Sequence, residues 1–494
     1  MKQNIDRRDF LKTAGSAALV MGGLGAVTGC GSKKVQSSNE ELGGGEMTYR
    51  TNAVRGDKVS ILGYGCMRWP MTKDEDGNNI IDQEAVNSLV DHAIANGINY
   101  FDTAPVYLMG QSERATANAL KRYPRDSYYI ATKLSNMNGS PSRDAAMAMY
   151  KKSFEELQTD YIDYYLLHNV GNYDAFKLRF EDNGMVEFLL EERKAGRIRN
   201  LGFSFHGSQE GFDELIALHD KYHWDFIQIQ LNYVDWTHAS RGATAQYMQE
   251  QLDKKGIQSV IMEPLLGGRL ANVPVHIAER LKERAPQNTV ASWAFRFAGT
   301  HPGVLCVLSG MTYMEHLVDN LKSFSPLKPL TDEELVFLEE TATLMQEYPT
   351  IPCTDCQYCM PCPYGIDIPT IFKHYNKCVN EGDIAQSIES ESYKKARRAY
   401  LVSYDRAVPK IRQASRCIGC GQCTHHCPQK IQIPRELHKI DRYVPLQLLA
   451  CRRHHLRNTR GGCRRYHLRL REVEGGQVPS LLLRLPRASQ LLGR

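Results

Sequence analysis

Eight short β-type runs, each followed by a helical pattern, recur between about Met47 and Leu330. This alternation limits the fold more than any other feature of the chain. The runs are Val59–Gly65, Ile98–Asp102, Tyr128–Lys133, Tyr161–His168, Ile198–Ser204, Phe226–Asn232, Gln258–Glu263 and Val304–Ser309. Most are apolar on successive residues, as strands covered on both faces are. Between them lie amphipathic segments such as Glu84–Asn96, Arg143–Gln158, Gly184–Ala195 and Thr244–Lys255. Eight βα units in roughly 280 residues predict an α/β fold, a closed (β/α)₈ TIM barrel rather than an open sheet. No Gly-x-Gly-x-x-Gly follows an early strand and no phosphate-binding P-loop is present, which argues against a dinucleotide-binding open sheet.

The rest of the chain divides by texture. Residues 1–30 read as an export signal and 31–45 as a Ser/Asn/Gly-rich flexible linker. The barrel is expected over 46–330 and a connecting helix over 331–350. A small, mainly helical, cysteine-bearing domain follows over 351–444. Residues 445–494 form an Arg/Leu-rich tail without a period, read as disordered or as out-of-frame coding. That tail holds 11 Arg, no Lys and two acids, so it alone carries +9, against a formal net charge of +5 for the whole chain. The other 444 residues are mildly acidic, at −4, and offer no general electrostatic case for nucleic acid. No apolar run reaches the roughly 20 residues of a membrane-spanning helix.

Within the signal, Arg7-Arg8-Asp9-Phe10-Leu11-Lys12 resembles a twin-arginine motif, with Asp6 where Ser or Thr is usual. Val27-Thr28-Gly29-Cys30 resembles a lipoprotein processing box. These resemblances imply export to the periplasm or to the outer face of a bacterial inner membrane. Membrane attachment would run through an acylated Cys30.

In a barrel of this class, chemistry sits at the C-terminal ends of strands. Asp102, Lys133 and His168 end three consecutive predicted strands, and Tyr107 follows Asp102 by five residues. Those four residue types suit carbonyl reduction. Hydride delivery leaves charge on oxygen, which must be protonated near neutral pH, and a free phenol is a poor match to that task. A neighbouring ammonium favours the phenolate, and a carboxylate fixes that ammonium. An imidazole can orient the carbonyl.

The surrounding segments extend the pattern. They are Gly63-Tyr64-Gly65-Cys66-Met67, Phe101-Asp102-Thr103-Ala104-Pro105-Val106-Tyr107, Ala131-Thr132-Lys133, Leu166-Leu167-His168 and Leu201-Gly202-Phe203-Ser204. Gln228-Ile229-Gln230-Leu231-Asn232-Tyr233 and Glu263-Pro264-Leu265-Leu266-Gly267-Gly268 continue it. In this order, across most of residues 50–325, they resemble the aldo/keto reductases. The resemblance implies Tyr107 as general acid, Lys133 and Asp102 as its tuning pair and His168 as substrate orienter. It also implies a nicotinamide cofactor, NADP or NAD, across the barrel mouth near Gly65 and Met67. Ser204 and Gln230 would hold the carboxamide and Met262 would pack under the ring. Leu265, Gly267 and the Ser309-Gly310-Met311 turn would line the pyrophosphate, with Asn320 near adenine. NADP-preferring members commonly place Lys or Arg beside the 2′-phosphate, whereas His316 is the only obvious cation in the stretch Gly310–His316.

Eight of the 14 cysteines fall in two tight groups. The first is Cys353-x₂-Cys356-x₂-Cys359-x₂-Cys362-Pro363 and the second Cys417-x₂-Cys420-x₂-Cys423-x₃-Cys427-Pro428. Thiols this close read as metal ligands before disulfides. The second group matches the bacterial ferredoxin run for a [4Fe–4S] cluster, and the first is one residue short in its last gap. Cys362–Pro369 and Cys427–Pro434 repeat the pattern C-P-x-x-I-x-I-P, each before a helical segment. Two Cys₄ zinc sites are the competing reading, although the gaps and Cys-Pro ends favour iron–sulfur. The repeat resembles helical ferredoxin-type modules with two [4Fe–4S] clusters. That resemblance implies crossed ligation: Cys353, Cys356, Cys359 and Cys427 on one cluster, Cys417, Cys420, Cys423 and Cys362 on the other.

Two functions follow. One is a nicotinamide-dependent oxidoreductase acting on a small-molecule carbonyl or alcohol, its clusters serving electron transfer to a separate redox partner or stability. The other is an iron–sulfur electron-transfer protein using the barrel as a binding scaffold. Hydride moves two electrons together and a cluster one, so the centres cannot simply exchange them without a converter.

Overall fold

The computed structural model describes residues 46–137, 142–239, 242–384 and 393–441. The export signal, the linker and the Arg-rich tail lie outside these residues. Eight parallel strands close a barrel in sequence order: β1 Leu62–Gly65, β2 Tyr100–Asp102, β3 Tyr129–Leu134, β4 Ile162–Val170, β5 Ile198–Phe205, β6 Phe226–Gln230, β7 Gln258–Met262 and β8 Val304–Ser309. Pairing runs from Gly65 opposite Asp102 round to Ser309 opposite Tyr64, which closes the ring. The (β/α)₈ expectation therefore holds.

The sequence periods reappear as burial. β3, β4 and β8 are buried at nearly every residue, as strands sandwiched between an interior and a helical ring must be. Tyr100, Tyr164, Phe226 and Leu305 fill the barrel interior, with the rings of Tyr100 and Tyr164 4.9 Å apart. Gly202 makes one strand contact feasible, because a Cβ there would collide with the Phe226 carbonyl. Several surrounding helices begin at side-chain caps. Asp82 accepts from Ala85 N, Ser142 from Ala145 N and Thr244 from Tyr247 N.

One predicted strand divides. The run Val59–Gly65 supplies β1 only from Leu62; Lys58–Ser60 pairs antiparallel with Tyr49–Thr51. The hairpin brings Arg50 to the C-terminal end of the helix Val290–Thr300. Its guanidinium donates to the carbonyls of Gly299 (2.5 Å), His301 (2.6 Å) and Val304. A helix C-terminus attracts cations, so a terminal hairpin is a stable use of this stretch.

A second compact unit contains Leu266–Glu279 and the described residues from Met345 onward, while Arg280–Leu344 belongs with the barrel. The division differs from the sequence boundaries in two places. The helix Asp332–Met345 lies almost wholly with the barrel unit, and a segment directly after β7 groups with the cysteine domain. The second unit contains the helices Ile368–Asn380 and Tyr393–Ala407. Asp367 caps the first, accepting from Thr370 N, with Pro369 in its first turn. Ile371, Phe372, Tyr375, Tyr400, Tyr404, Ile431 and Leu437 form a small core, and six of the grouped cysteines pack against it.

Candidate functional site

Strand register places three of the four expected catalytic residues at one end of the barrel, and Tyr107 opens the short helix Tyr107–Gly110 that follows β2. Asp102 ends β2, Lys133 lies one residue from the end of β3, and His168 lies two residues from the end of β4. Lys133 is fully buried. Its ammonium donates to Asp102 Oδ1 at 2.5 Å and to the Thr103 carbonyl at 2.7 Å. Gln228 donates to the second Asp102 oxygen at 3.2 Å. Burial pulls the Lys133 ammonium below the usual lysine value and pushes the Asp102 carboxyl up, while each partner's charge opposes the shift. The pair is locked in place by the cost of separating it.

Lys133 Nζ stands 4.8 Å from the centre of the Tyr107 ring. Tyr107 meets His168 edge-on, at 5.9 Å between ring centres and 81° between planes. Burial lowers the His168 imidazole well below its ordinary value, and the charges of Lys133, Arg179 and His206 reinforce this. The ring is therefore neutral at pH 7. Ser135, which sequence reasoning missed, has its hydroxyl 2.5 Å from His168 Nδ1. In the tautomer where Ser135 donates to Nδ1, Nε2 carries the proton. The clue was present in Lys133-Leu134-Ser135, because alternate strand residues share a face.

Of the expected cofactor residues, Gly65, Ser204, Gln230, Met262 and Ser309 lie at or near strand ends, whereas His316 and Asn320 lie on the helix Met314–Phe324 and Gly267 in the second unit. Gln230 and Met262 are register partners, both half-buried. The Gln230 amide donates to Asp235 at 2.5 Å, and Ser204 Oγ accepts from Asn169 N at 2.8 Å. Asn320 donates to Ser309 Oγ at 2.8 Å, and Tyr64 donates to the Met311 carbonyl at 2.5 Å. Thus Ser204, Gln230, Ser309 and Asn320 already carry bonds within the barrel. Gly65 stands beside Ser309, while Met67, Leu265 and Gly310 are half-buried and His316 is exposed.

Two of these residues have neighbours that the sequence did not show. Arg68 packs its stem against Gly310, at 3.0 Å from where a Cβ would stand. The Arg68 side chain thus runs past the Ser309–Met311 turn, outside the stretch Gly310–His316 in which His316 is the obvious cation. Arg68 was missed because it is far from that turn in sequence. Gly267 was assigned to close approach of a pyrophosphate. Its backbone has φ +65°, and a Cβ there would run into the backbone of Thr354, between Cys353 and Cys356. The close approach at Gly267 is thus made by the cysteine segment of the same unit. Around it, Arg269 donates to Thr350 Oγ1 at 2.8 Å, Asn380 to the Asn272 carbonyl at 2.6 Å, and His276 stacks on Tyr348 at 5.0 Å.

The cysteines form two neighbourhoods. Cys359 is raised by burial, with Cys356, Cys353, Cys427 and Cys423 around it. Cys417 has Cys362 and Cys420 for neighbours, and Cys423 has Cys362 and Cys417. Cys362 thus lies with the second sequence group and Cys427 by the first. Among the described residues, no three His, Cys, Asp or Glu side chains form a group that could hold a single metal ion.

A parallel barrel carrying a buried Lys–Asp pair under a Tyr, together with an iron–sulfur-type cysteine domain, defines the class as a redox enzyme. Residues 61–342 match the aldo/keto reductase family, and the chain belongs to it. Residues 352–432 match the 4Fe-4S dicluster domain. Among relatives, an uncharacterized oxidoreductase of Bacillus subtilis, YqkF, is 25% identical over 57% of this chain and 92% of its own. D-arabinose 1-dehydrogenase of Saccharomyces cerevisiae is 34% identical over 24% of this chain and 36% of its own. Among solved structures, the aldo-keto reductase AKR11C1 of Bacillus halodurans is 24% identical, with a TM-score of 0.49 over 60% of this chain and 96% of its own.

Proposed function

We propose that the protein is an NADP(H)-dependent oxidoreductase of small carbonyl compounds or the corresponding alcohols, carrying two [4Fe–4S] clusters. The observation that carries the reading is the buried Lys133–Asp102 pair beneath the Tyr107 ring, with His168 at its edge. The half-buried Gln230 and Met262, with Arg68 beside the Gly310 turn, suit a nicotinamide bearing a phosphate. When bound, that cofactor supplies the hydride. Tyr107 donates the proton that the carbonyl oxygen needs. Lys133 makes that donor more acidic, and Asp102 keeps Lys133 charged and in place. Neutral His168, with Ser135 on Nδ1, presents Nε2–H to the carbonyl and orients it.

The cysteine neighbourhoods support crossed ligation, with Cys353, Cys356, Cys359 and Cys427 on one cluster and Cys417, Cys420, Cys423 and Cys362 on the other. Their packing against the small core favours a structural role beside electron transfer to a redox partner. Export by the twin-arginine route, with an acylated Cys30 at the membrane surface, completes the proposal. That route carries folded proteins with cofactors loaded.

Anaerobically purified protein should oxidise NADPH in the presence of an aldehyde, and Tyr107→Phe should lower kcat by at least about 100-fold. Equal activity in wild type and Tyr107→Phe sinks this role for the site. Iron and acid-labile sulfide near eight of each per chain test the clusters; zinc in their place would remove them.

A further inference from the structure

Arg179 bonds the backbone carbonyl of His168 and, among the described residues, has no counter-ion. It occupies the π-helical turn Lys177–Glu181, a rare backbone form that recurs at functional sites. Its Nη2 donates to the His168 carbonyl at 2.6 Å and lies 3.5 Å from Asn136 Oδ1, while Nη1 donates to the Asn169 carbonyl at 2.8 Å. Nε is buried without a hydrogen-bond partner. All of these acceptors are neutral, and the guanidinium also lies 4.6 Å from the centre of the Phe180 ring. Burial alone lowers the guanidinium to about 10, so it stays charged at pH 7.

Several other partly buried guanidiniums in this unit are answered. Arg125 and Arg199 share Asp163, Arg296 pairs with Glu334, and Arg50 meets a helix C-terminus. Arg179 holds the end of a strand, where no helix dipole acts, and among the described residues no carboxylate pairs with it. A buried charge without a counter-ion is costly, so its retention points to an anion that arrives from outside. The N–H of Nη1 that the Arg179 bonds leave over can give a charge-assisted hydrogen bond to a carboxylate oxygen.

We propose that Arg179 seats a carboxylate carried by the substrate, so that the substrate class is a carbonyl compound bearing a carboxylate a few bonds from the reacting carbon. This rests on the carbonyl-reductase reading above. In the reaction, hydride passes from the reduced nicotinamide to the carbonyl carbon. The oxygen takes a proton, the products are a hydroxy acid and the oxidised cofactor, and the carboxylate is unchanged.

The test compares matched substrates with the iron-loaded, full-length protein. Succinic semialdehyde is set against butanal, and glyoxylate against glycolaldehyde. The expected kcat/KM ratio favours the acid by on the order of 100-fold, chiefly through KM. In Arg179→Met that ratio should collapse toward one. Arg179→Gln keeps donors for the strand-end carbonyls without the charge, and should collapse it as well. If both partners of each pair turn over equally in wild type, the carboxylate seat is overturned while the carbonyl reading stands. A high ratio that survives in either variant overturns Arg179 as the seat. Turnover of none of the four removes the carbonyl reading and this inference with it.

Discussion

At the scale of residues, the proposed site depends on charges that are expensive to separate. Lys133 and Asp102 are both buried, and each is the other's main compensation. Lys133→Met leaves a buried carboxylate with only Gln228 and should cost about 3–5 kcal/mol of stability, read from urea unfolding at pH 7. The substitution also leaves a carboxyl whose folded pKa lies above its unfolded value. Such a group costs least when protonated, so Lys133→Met should recover stability relative to wild type as pH falls. A uniform loss at all pH values would contradict this. Four residues of this site were legible from residue type and strand position. Ser135, Arg68 and Arg179 were not assigned from sequence. Their roles come from tertiary neighbours 33, 242 and 11 residues away, among them His168, Gly310 and His168 again.

At the scale of elements, continuous apolar runs identified all eight barrel strands, because burial on both faces leaves little other choice of residue. The run through Val59 was ambiguous for the same reason: apolar continuity does not say where one strand stops and a hairpin begins. The hairpin's Arg50 stands near His301, whose ring stacks on Trp236 at 4.3 Å. Burial, and then the Arg50 charge, lower the His301 imidazole to about 4. Its folded pKa is below the unfolded value of about 6.5, so the unfolded chain binds more protons in that interval. The contribution is fully present above about pH 6.5 and is lost as pH falls toward 4. Unfolding midpoints should therefore decline across that window, and His301→Phe, which keeps the stack, should flatten the decline. An unchanged slope would assign the acid sensitivity to other groups.

At the scale of the whole molecule, the cysteine pattern was readable because thiol spacing is a local property, whereas the division into units was not. Nothing in residues 266–279 announces that they pack with a domain that resumes at Met345. Removing iron from the anaerobic protein should abolish protection of amides in Ile368–Asn380 and Leu266–Glu279, while barrel strands such as Ile162–Val170 stay protected. Hydrogen exchange reads both regions in one experiment. Loss of protection throughout would mean that the barrel cannot stand without the clusters.

The segment after β7 also bears on engineering. Leu270 and Ile277 are fully buried, and Gly267 leaves space for Thr354. The cysteine domain is therefore discontinuous, owning a piece of chain that the barrel must surrender in mid-sequence. Cutting at Met345 would not restore a plain barrel. It would strand Leu266–Glu279 with its apolar side chains in water. Isolating the barrel therefore requires redesigning that loop together with the cut at Met345.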